Sequence, residues 1–159
     1  KSVRLHVANE TWKEFTGSIE WELRTPDAAV VESGILSVTA PSFDGVFLEK
    51  IDFSDKDERS VYVSYRLRNE ENAIVSEGTT LFTPPKHFKF ENPELSFTVE
   101  GKKITVSSKG YAKSVEIMAL DGDVRFSDNY FDLNGDSKTV EIVEGNATNF
   151  KVRSVYDIR

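Results

Sequence analysis

The chain has 159 residues, of which 38% are hydrophobic and 30% charged, and it contains no cysteine. The missing cysteines exclude disulfides, thiolate zinc sites and cysteine nucleophiles, and the apolar runs are far shorter than the roughly 20 residues of a membrane helix. A net charge of −7 repels phosphate backbones and argues against a nucleic-acid partner. The chain is also shorter than the about 250 residues of a (β/α)₈ barrel.

The first 83 residues are dominated by alternation of apolar and polar side chains. Residues 2–8, 18–24 and 60–68 alternate with a period of two, which is typical of strands with one buried face. Further strand-like runs cover residues 34–39, 46–53 and 73–82. The runs are separated by turn signals at Thr25-Pro26-Asp27, Ala40-Pro41-Ser42, Asp44-Gly45 and Asn69-Glu70-Glu71-Asn72. About six strands are predicted in this half.

The segment Thr83-Pro84-Pro85-Lys86 interrupts this pattern. Adjacent prolines fix φ and lack amide donors, so they cannot continue a central strand and predict a stiff, extended connector. We place a domain boundary here, between residues 1–85 and residues 86–159. A long loop within one domain is the alternative.

Short alternating segments recur in the second half. They cover residues 95–99, 104–106, 115–119, 124–126, 130–133, 140–142 and 150–155. Turn signals lie between them, and Asn134-Gly135 is the strongest hairpin signal of the chain. Short strands with a turn every 8–12 residues predict a β-sandwich. The predicted fold class is all-β, with two tandem immunoglobulin-like β-sandwiches.

Two groups of residues could suggest a metal site. His6 and His87 lie 81 positions apart, one on the polar side of a predicted strand and one after the connector, so no ligand spacing is present. Acidic and amide residues at Asp128, Asn129, Asp132, Asn134 and Asp136 could supply oxygen ligands to calcium. An Asn-Gly turn explains the second group better, because the distal Glu of a calcium loop is missing. We predict neither a metal nor a cofactor.

No catalytic residue is predicted, and binding residues are unknown. The sequence has no Gly-x-Ser-x-Gly elbow, no glycine-rich phosphate loop and no spacing that fixes a carboxylate pair. Among possible stacking platforms, Trp21 shares its face with Ile19 and Leu23 and belongs to the core, whereas Trp12 lies in a loop. For Trp12, packing under a neighbouring domain is favoured over sugar stacking. Tyr62, Tyr65, Tyr111 and Tyr130 complete the candidates. Asn9 and Asn146 match the glycosylation pattern, which occurs easily by chance.

Three strings in the second half carry a resemblance. They are Pro85-Lys86-His87-Phe88-Lys89-Phe90, Lys113-Ser114-Val115-Glu116-Ile117 and Phe126-Ser127-Asp128-Asn129-Tyr130-Phe131-Asp132-Leu133. Together they resemble the C-terminal immunoglobulin-like domain of β-mannosidases of glycoside hydrolase family 2. The preceding Leu81-Phe82-Thr83-Pro84 resembles the junction with the sandwich before it. The motif of residues 127–133 also has a structural interpretation, in which Phe131 and Leu133 fill the core and the polar residues bind backbone amides.

The resemblance implies the last two domains of a retaining β-mannosidase whose catalytic glutamates lie in a (β/α)₈ barrel. The chain itself is then no enzyme, and its partners are that barrel, the other domains of the parent and an oligosaccharide. A pair of carbohydrate-binding modules, or adhesion and spacer domains of a surface protein, are the alternatives. A missing internal repeat speaks against a spacer array. Because Lys1 is not an initiator Met, we expect a piece of a longer protein, in a compartment that the sequence leaves open: cytoplasm, periplasm or outside the cell.

Overall fold

The computed structural model describes residues 1–158, which form thirteen β-strands, one short 3₁₀ turn and one short α-helix. The first six strands are β1 (Ser2–Asn9), β2 (Phe15–Arg24), β3 (Val30–Ala40), β4 (Asp44–Asp52), β5 (Tyr62–Asn69) and β6 (Ile74–Leu81). The others are β7 (Ser96–Glu100), β8 (Lys103–Ser107), β9 (Tyr111–Ala119), β10 (Val124–Phe126), β11 (Phe131–Asn134), β12 (Ser137–Gly145) and β13 (Phe150–Arg153). The predicted all-β class is confirmed.

The chain divides into two compact units. The first comprises Lys1–Thr25 and Val30–Phe88, and the second comprises Pro26–Ala29 and the chain from Lys89 onward. The boundary between residues 85 and 86 stays a prediction. The connector itself is not fully extended: Pro84 is extended, but Pro85–His87 form a 3₁₀ turn. A proline fits the start of such a turn, because its missing N–H would have no partner there.

The first unit packs a four-stranded antiparallel sheet, in the order β3-β2-β5-β6, against the two-stranded ribbon of β1 and β4. The inward residues of the alternating strands form the core, as the period of two predicts. Trp21 is buried at its centre. The large indole needs room on its neighbour: a Cβ on Gly34, its partner in β3, would lie 2.7 Å from Trp21 Nε1.

The predicted turn at Asp44-Gly45 is wrong. Both residues belong to β4, and the turn lies at residues 41–43, where Phe43 has a positive φ of 53°. The Asp44 carboxylate accepts a hydrogen bond from the Gly45 N–H at 2.7 Å. This local bond gives Asp-Gly the chemistry of a turn, and here it lies at the start of a strand instead.

The second unit consists of two sheets, with the orders β10-β12-β8-β7 and β11-β9-β13. Its core is formed by aliphatic and aromatic side chains from both sheets: Ile104, Val106, Ala112, Val115, Ile117, Phe131, Leu133, Val140, Ile142 and Phe150. Phe97 and Val99, predicted to face inward, are exposed on the edge strand β7. Val155, predicted to close the last strand, begins the helix α1 (Val155–Ile158).

Asn134-Gly135 does not form the predicted hairpin. Its flanking strands belong to different sheets, because β11 pairs with β9 whereas β12 pairs with β8 and β10. Gly135 has the positive φ of 73° that the turn requires, and Asp136 accepts a hydrogen bond from the Asn134 N–H at 2.9 Å. Turn residues fix the local backbone but not the strand that comes next. The turn therefore carries the chain from one sheet to the other.

The motif of residues 127–133 has a structural role. The Asn129 side chain accepts from the Ile117 N–H at 2.8 Å and donates to the Ile117 carbonyl at 3.0 Å. It thus makes the two backbone hydrogen bonds that a neighbouring strand would make to this residue of β9. The Asp132 carboxylate accepts from the Ser114 N–H at 2.8 Å. Phe131 and Leu133 are buried between the two sheets, as predicted. The polar residues of the motif therefore bind backbone that lies 12 to 18 positions earlier.

Glu116 links β9 to the motif and to β13. Its carboxylate is 2.6 Å from Arg153 Nε and accepts from the Tyr130 hydroxyl at 3.1 Å. The hydrogen bond from Arg153 lowers the pKa of Glu116, and the bond from Tyr130 adds to the same effect. The contact therefore stabilises the folded state only while Glu116 is ionised.

Replacing Phe131 with Ala should destabilise the protein by about 3–5 kcal/mol, because a buried aromatic side chain is lost and leaves a cavity. Urea unfolding measures the change. Phe97→Ala is the matched control, since Phe97 is exposed on an edge strand, and it should cost less than about 1 kcal/mol. A loss below about 1 kcal/mol for Phe131→Ala would place that ring on the surface.

The stabilising effect of Glu116 should depend on pH. Its folded pKa lies below the ordinary value of 4.5, so the stabilisation is complete above that value and is lost as the pH falls through the folded pKa. The difference in unfolding free energy between the wild type and Glu116→Gln should therefore be largest near neutral pH and shrink in acid. Chemical denaturation at a series of pH values measures it. A difference that does not change with pH would contradict the ionic contribution.

Candidate functional site on the outer face of the β1–β4 ribbon

The outer face of the β1–β4 ribbon follows from the alternation of its two strands. Leu5 and Val7 point into the core, so Arg4, His6 and Ala8 point outward. Their partners on β4 show the same alternation, with His6 opposite Phe47 and Ala8 opposite Gly45. A bulge between Arg4 and His6 shifts the pairing, since Arg4 lies opposite Lys50. The ribbon therefore has one face in the core and one face in solvent.

Three aromatic side chains are exposed on or beside this face. Trp12 is 87% exposed, Phe43 56% and Phe47 62%. Trp12 and Phe43 meet edge to face, with ring centroids 4.6 Å apart. The His6 ring lies 4.3 Å from the Phe47 ring, and the Arg4 guanidinium lies 5.3 Å from the Phe47 centroid. Trp12 lies in a loop, as its sequence context indicates, beside further exposed rings.

The sequence interpretation missed Phe43 and Phe47. Phe43 precedes the Asp44-Gly45 turn signal, and Phe47 lies in the predicted run 46–53, whose inward and outward residues were not assigned. The alternation of β4 contained the missing signal: Val46 and Leu48 are half-buried, which turns Phe47 between them outward. Phe43 has a positive φ, which no sequence pattern indicated.

A groove of about 410 Å³ lies among these rings. It is lined by His6, Ala8, Asn9, Glu10, Phe43, Asp44, Gly45 and Phe47. Ala8 and Gly45 are opposite each other in the ribbon and leave room between the aromatic rings. A Cβ on Gly45 would lie only 2.5 Å from His6 Nε2, so a larger residue would displace the imidazole. The groove therefore depends on a glycine at this position.

The loop that carries Trp12 is anchored by the buried Asn9. Its amide nitrogen donates to the carbonyls of Lys13 at 2.7 Å and Ala40 at 3.0 Å. Its side-chain oxygen accepts from the N–H and the hydroxyl of Thr11. These bonds and its burial explain Asn9 as a loop anchor and argue against the glycan attachment that its sequence pattern suggested.

The opposite outer face, on the four-stranded sheet, has a different chemistry. Charged side chains there form ion pairs with one another. Arg68 pairs with Glu20 at 3.4 Å and Arg66 with Glu77 at 3.3 Å across strands, and Arg24 pairs with Glu22 of its own strand. This face satisfies its own charges. On the β1–β4 face, by contrast, the aromatic side chains of Trp12, Phe43 and Phe47 are exposed to solvent.

The remaining candidates from the sequence lie elsewhere. His87 lies in the 3₁₀ turn and does not line the groove. Tyr62 and Tyr111 are fully buried, and Tyr130 is exposed and binds Glu116. Among residues 1–158, no group of three or more potential metal-binding side chains comes together. None of the helices in this part of the chain is long and apolar enough to cross a membrane.

A larger cleft of about 560 Å³ lies along the free edge of β1. Its lining is mostly the strand itself, residues 1–6, together with Tyr65 and the end of β6. The Lys1 ammonium beside it donates to the Lys56 carbonyl at 2.5 Å. The cleft brings together no pair of carboxylates among its lining residues, and it offers no arrangement for acid–base chemistry.

Both halves of the chain match known domain families. Residues 1–87 match the mannosidase Ig/CBM-like domain, and residues 90–158 match an Ig-fold domain. A search of curated protein sequences finds no match. The predicted immunoglobulin-like folds, and the resemblance to the C-terminal domains of family 2 β-mannosidases, are thereby confirmed.

Two solved structures show the same fold over nearly the whole chain. A β-D-mannosidase from Dictyoglomus thermophilum aligns with a TM-score of 0.68 and 16% identity, over 99% of this chain and 19% of its own. The exo-chitosanase CsxA from Amycolatopsis orientalis aligns with a TM-score of 0.66 and 12% identity, over 96% of this chain and 24% of its own. The chain thus spans about a fifth to a quarter of the length of these structures. Since the first domain match covers more than half of its residues, the protein belongs to the mannosidase Ig/CBM-like domain family.

Proposed function

We propose that the chain forms the two non-catalytic C-terminal domains of a β-mannosidase-like glycoside hydrolase, where they pack on and stabilise a (β/α)₈ catalytic barrel. The observation that carries this proposal is the pair of domain matches, at residues 1–87 and 90–158, in a chain that spans only a fifth to a quarter of its glycosidase neighbours. The parent enzyme would be a retaining exo-glycosidase that releases terminal β-mannosyl residues.

The carboxyl groups of the chain support a non-catalytic role. A glycosidase needs a general acid whose pKa is raised, beside a second carboxylate about 5–9.5 Å away. Asp55, Glu116 and Asp121 instead have lowered pKa values, mainly through hydrogen bonds from Lys56, Arg153 and Thr148 respectively. These three carboxylates remain ionised at neutral pH, so they are poor proton donors.

Asp121 illustrates this structural use. Its carboxylate accepts from the Thr148 hydroxyl at 2.6 Å and from the Asn149 N–H at 3.0 Å. Both partners lie in the loop between β12 and β13, whereas Asp121 follows β9. Asp121 therefore ties a turn to a distant loop within the second unit.

The isolated chain should not hydrolyse p-nitrophenyl β-D-mannoside, because the catalytic glutamates of such an enzyme lie in the barrel. Release of p-nitrophenol, followed by absorbance at high protein concentration, measures this. Turnover that a single substitution within the chain abolishes would overturn the non-catalytic role. Turnover that survives all such substitutions would indicate a contaminating enzyme.

The coding region upstream of Lys1 should encode a (β/α)₈ barrel. Removing the present chain from that longer protein should lower the melting temperature of the barrel, because the apolar surface that the domains cover becomes exposed. Differential scanning calorimetry of the two forms measures the change. An unchanged melting temperature would contradict the stabilising role, and a coding region without a barrel would contradict the parent enzyme.

A further inference from the structure

We propose that the groove between Phe43 and Phe47 binds the pyranose ring of a neutral or amino-sugar oligosaccharide. The proposal goes beyond the packing role, because it concerns a face of the first unit that can act in the isolated chain. It rests on the shape of the groove, the exposure of its rings and the charges around it.

The rings provide the apolar half of a sugar site. The face of an aromatic ring carries partial negative charge, and it attracts the weakly positive C–H groups on one side of a pyranose. Phe43 and Phe47 line the groove and are more than half exposed, and Trp12 extends the aromatic surface beyond Phe43. The small residues Ala8 and Gly45 between them leave space for a ring.

Two carboxylates provide the polar half. Glu10 and Asp44 line the same groove. Within residues 1–158 the Glu10 side chain has no hydrogen bond or ion pair, and Asp44 accepts one bond, from the Gly45 N–H. Carboxylates accept hydrogen bonds from hydroxyl or ammonium groups. A ligand with an apolar ring face and hydroxyl groups at its rim fits this combination.

The Glu10 and Asp44 carboxylates also favour a sugar over a protein as the ligand of the groove. Burying two carboxylates under an apolar protein surface is costly unless each gains a partner, and the centres of protein interfaces are depleted in charged residues. A sugar supplies hydroxyl donors and leaves the rim hydrated. These two carboxylates also repel uronic acids and phosphorylated or sulfated sugars, and the Arg4 guanidinium beside Phe47 is not among the residues that line the groove. The favoured ligands are therefore neutral or amino sugars.

The test titrates the chain with β-1,4-mannotetraose, with the β-1,4-linked glucosamine tetramer and with tetragalacturonate, and it follows backbone amide shifts by NMR. At about 10 mM ligand, a Kd of about 1 mM gives near saturation. We expect the first or second ligand to shift the amides of Ala8, Gly45 and Phe47, and tetragalacturonate to leave them unchanged. No shift with either of the first two ligands would overturn the proposal.

Substitutions locate the site. Phe47→Ala should weaken binding about tenfold, which corresponds to about 1.4 kcal/mol, with an unchanged urea midpoint because Phe47 is exposed. Phe97→Ala is the matched control, since it removes an exposed Phe of the second unit, and it should leave the affinity within about twofold. Equal losses in both variants, or shifts confined to the second unit, would place binding elsewhere and overturn the proposal.

Sedimentation velocity tests another possible occupant, a second copy of the chain. If the wild type self-associates and Phe47→Ala is monomeric, the face is an interface between copies and the sugar proposal is wrong. A monomeric wild type that binds oligosaccharide supports it. These measurements use the isolated chain, so their outcome is independent of the barrel experiments above.

Discussion

The first unit depends on a narrow apolar contact, in which a ribbon of only two strands covers a sheet of four. Leu5 and Val7 of the ribbon belong to the same buried core cluster as Trp21 of the sheet. The Phe53 ring packs edge to face against Trp21, with ring centroids 5.6 Å apart. Burial of each such side chain contributes about 1.5–3 kcal/mol. Because the ribbon has only two strands, its inward side chains cover the core while its outward side chains form the exposed aromatic face. Leu5 and Val7 of the core therefore alternate with His6 and Ala8 of the candidate site along β1.

The sequence predicted features that depend on neighbouring residues, and it did not predict features that depend on distant strands. The period of two predicted the strands and the burial of Trp21, Phe131 and Leu133, because alternation is a local property. Asn134-Gly135 predicted a turn but not that β11 and β12 enter different sheets, since partner choice depends on distant strands. Phe43 and Phe47 were missed for different reasons: the strand of Phe47 was predicted without its two faces, and Phe43 lies in a turn with a positive φ. Of the candidate site, only Trp12 was anticipated.

The two outer faces of the first unit differ in chemistry: one carries ion pairs and the other carries the exposed aromatic rings of the proposed sugar site. On the outer face of the four-stranded sheet, Arg66 pairs with Glu77 and Arg68 with Glu20 across strands. These charged side chains are therefore already bound within the protein. The ribbon face exposes aromatic rings that contribute little to the core. In the second unit the polar residues of the 127–133 motif are bound to backbone, as with Asn129 and Ile117. Its most distinctive sequence thus serves the fold, and the recognition surface lies in the other unit.

The bulge between Arg4 and His6 has a consequence for variation in this strand pair. Without it, regular pairing from Arg4 and Lys50 would set His6 opposite Leu48, and the aliphatic side chain would turn to solvent while Phe47 turned inward. The extra residue on β4 corrects the phase, so that Leu48 is retained in the core and Phe47 outside. Deletion of Glu49 would remove the extra residue itself. Leu48 would then lie opposite Leu5, while His6 stays opposite Phe47, so the pairing would become regular and both faces would be kept. This stretch of β4 can therefore lose one residue without a change in which side chains face the core.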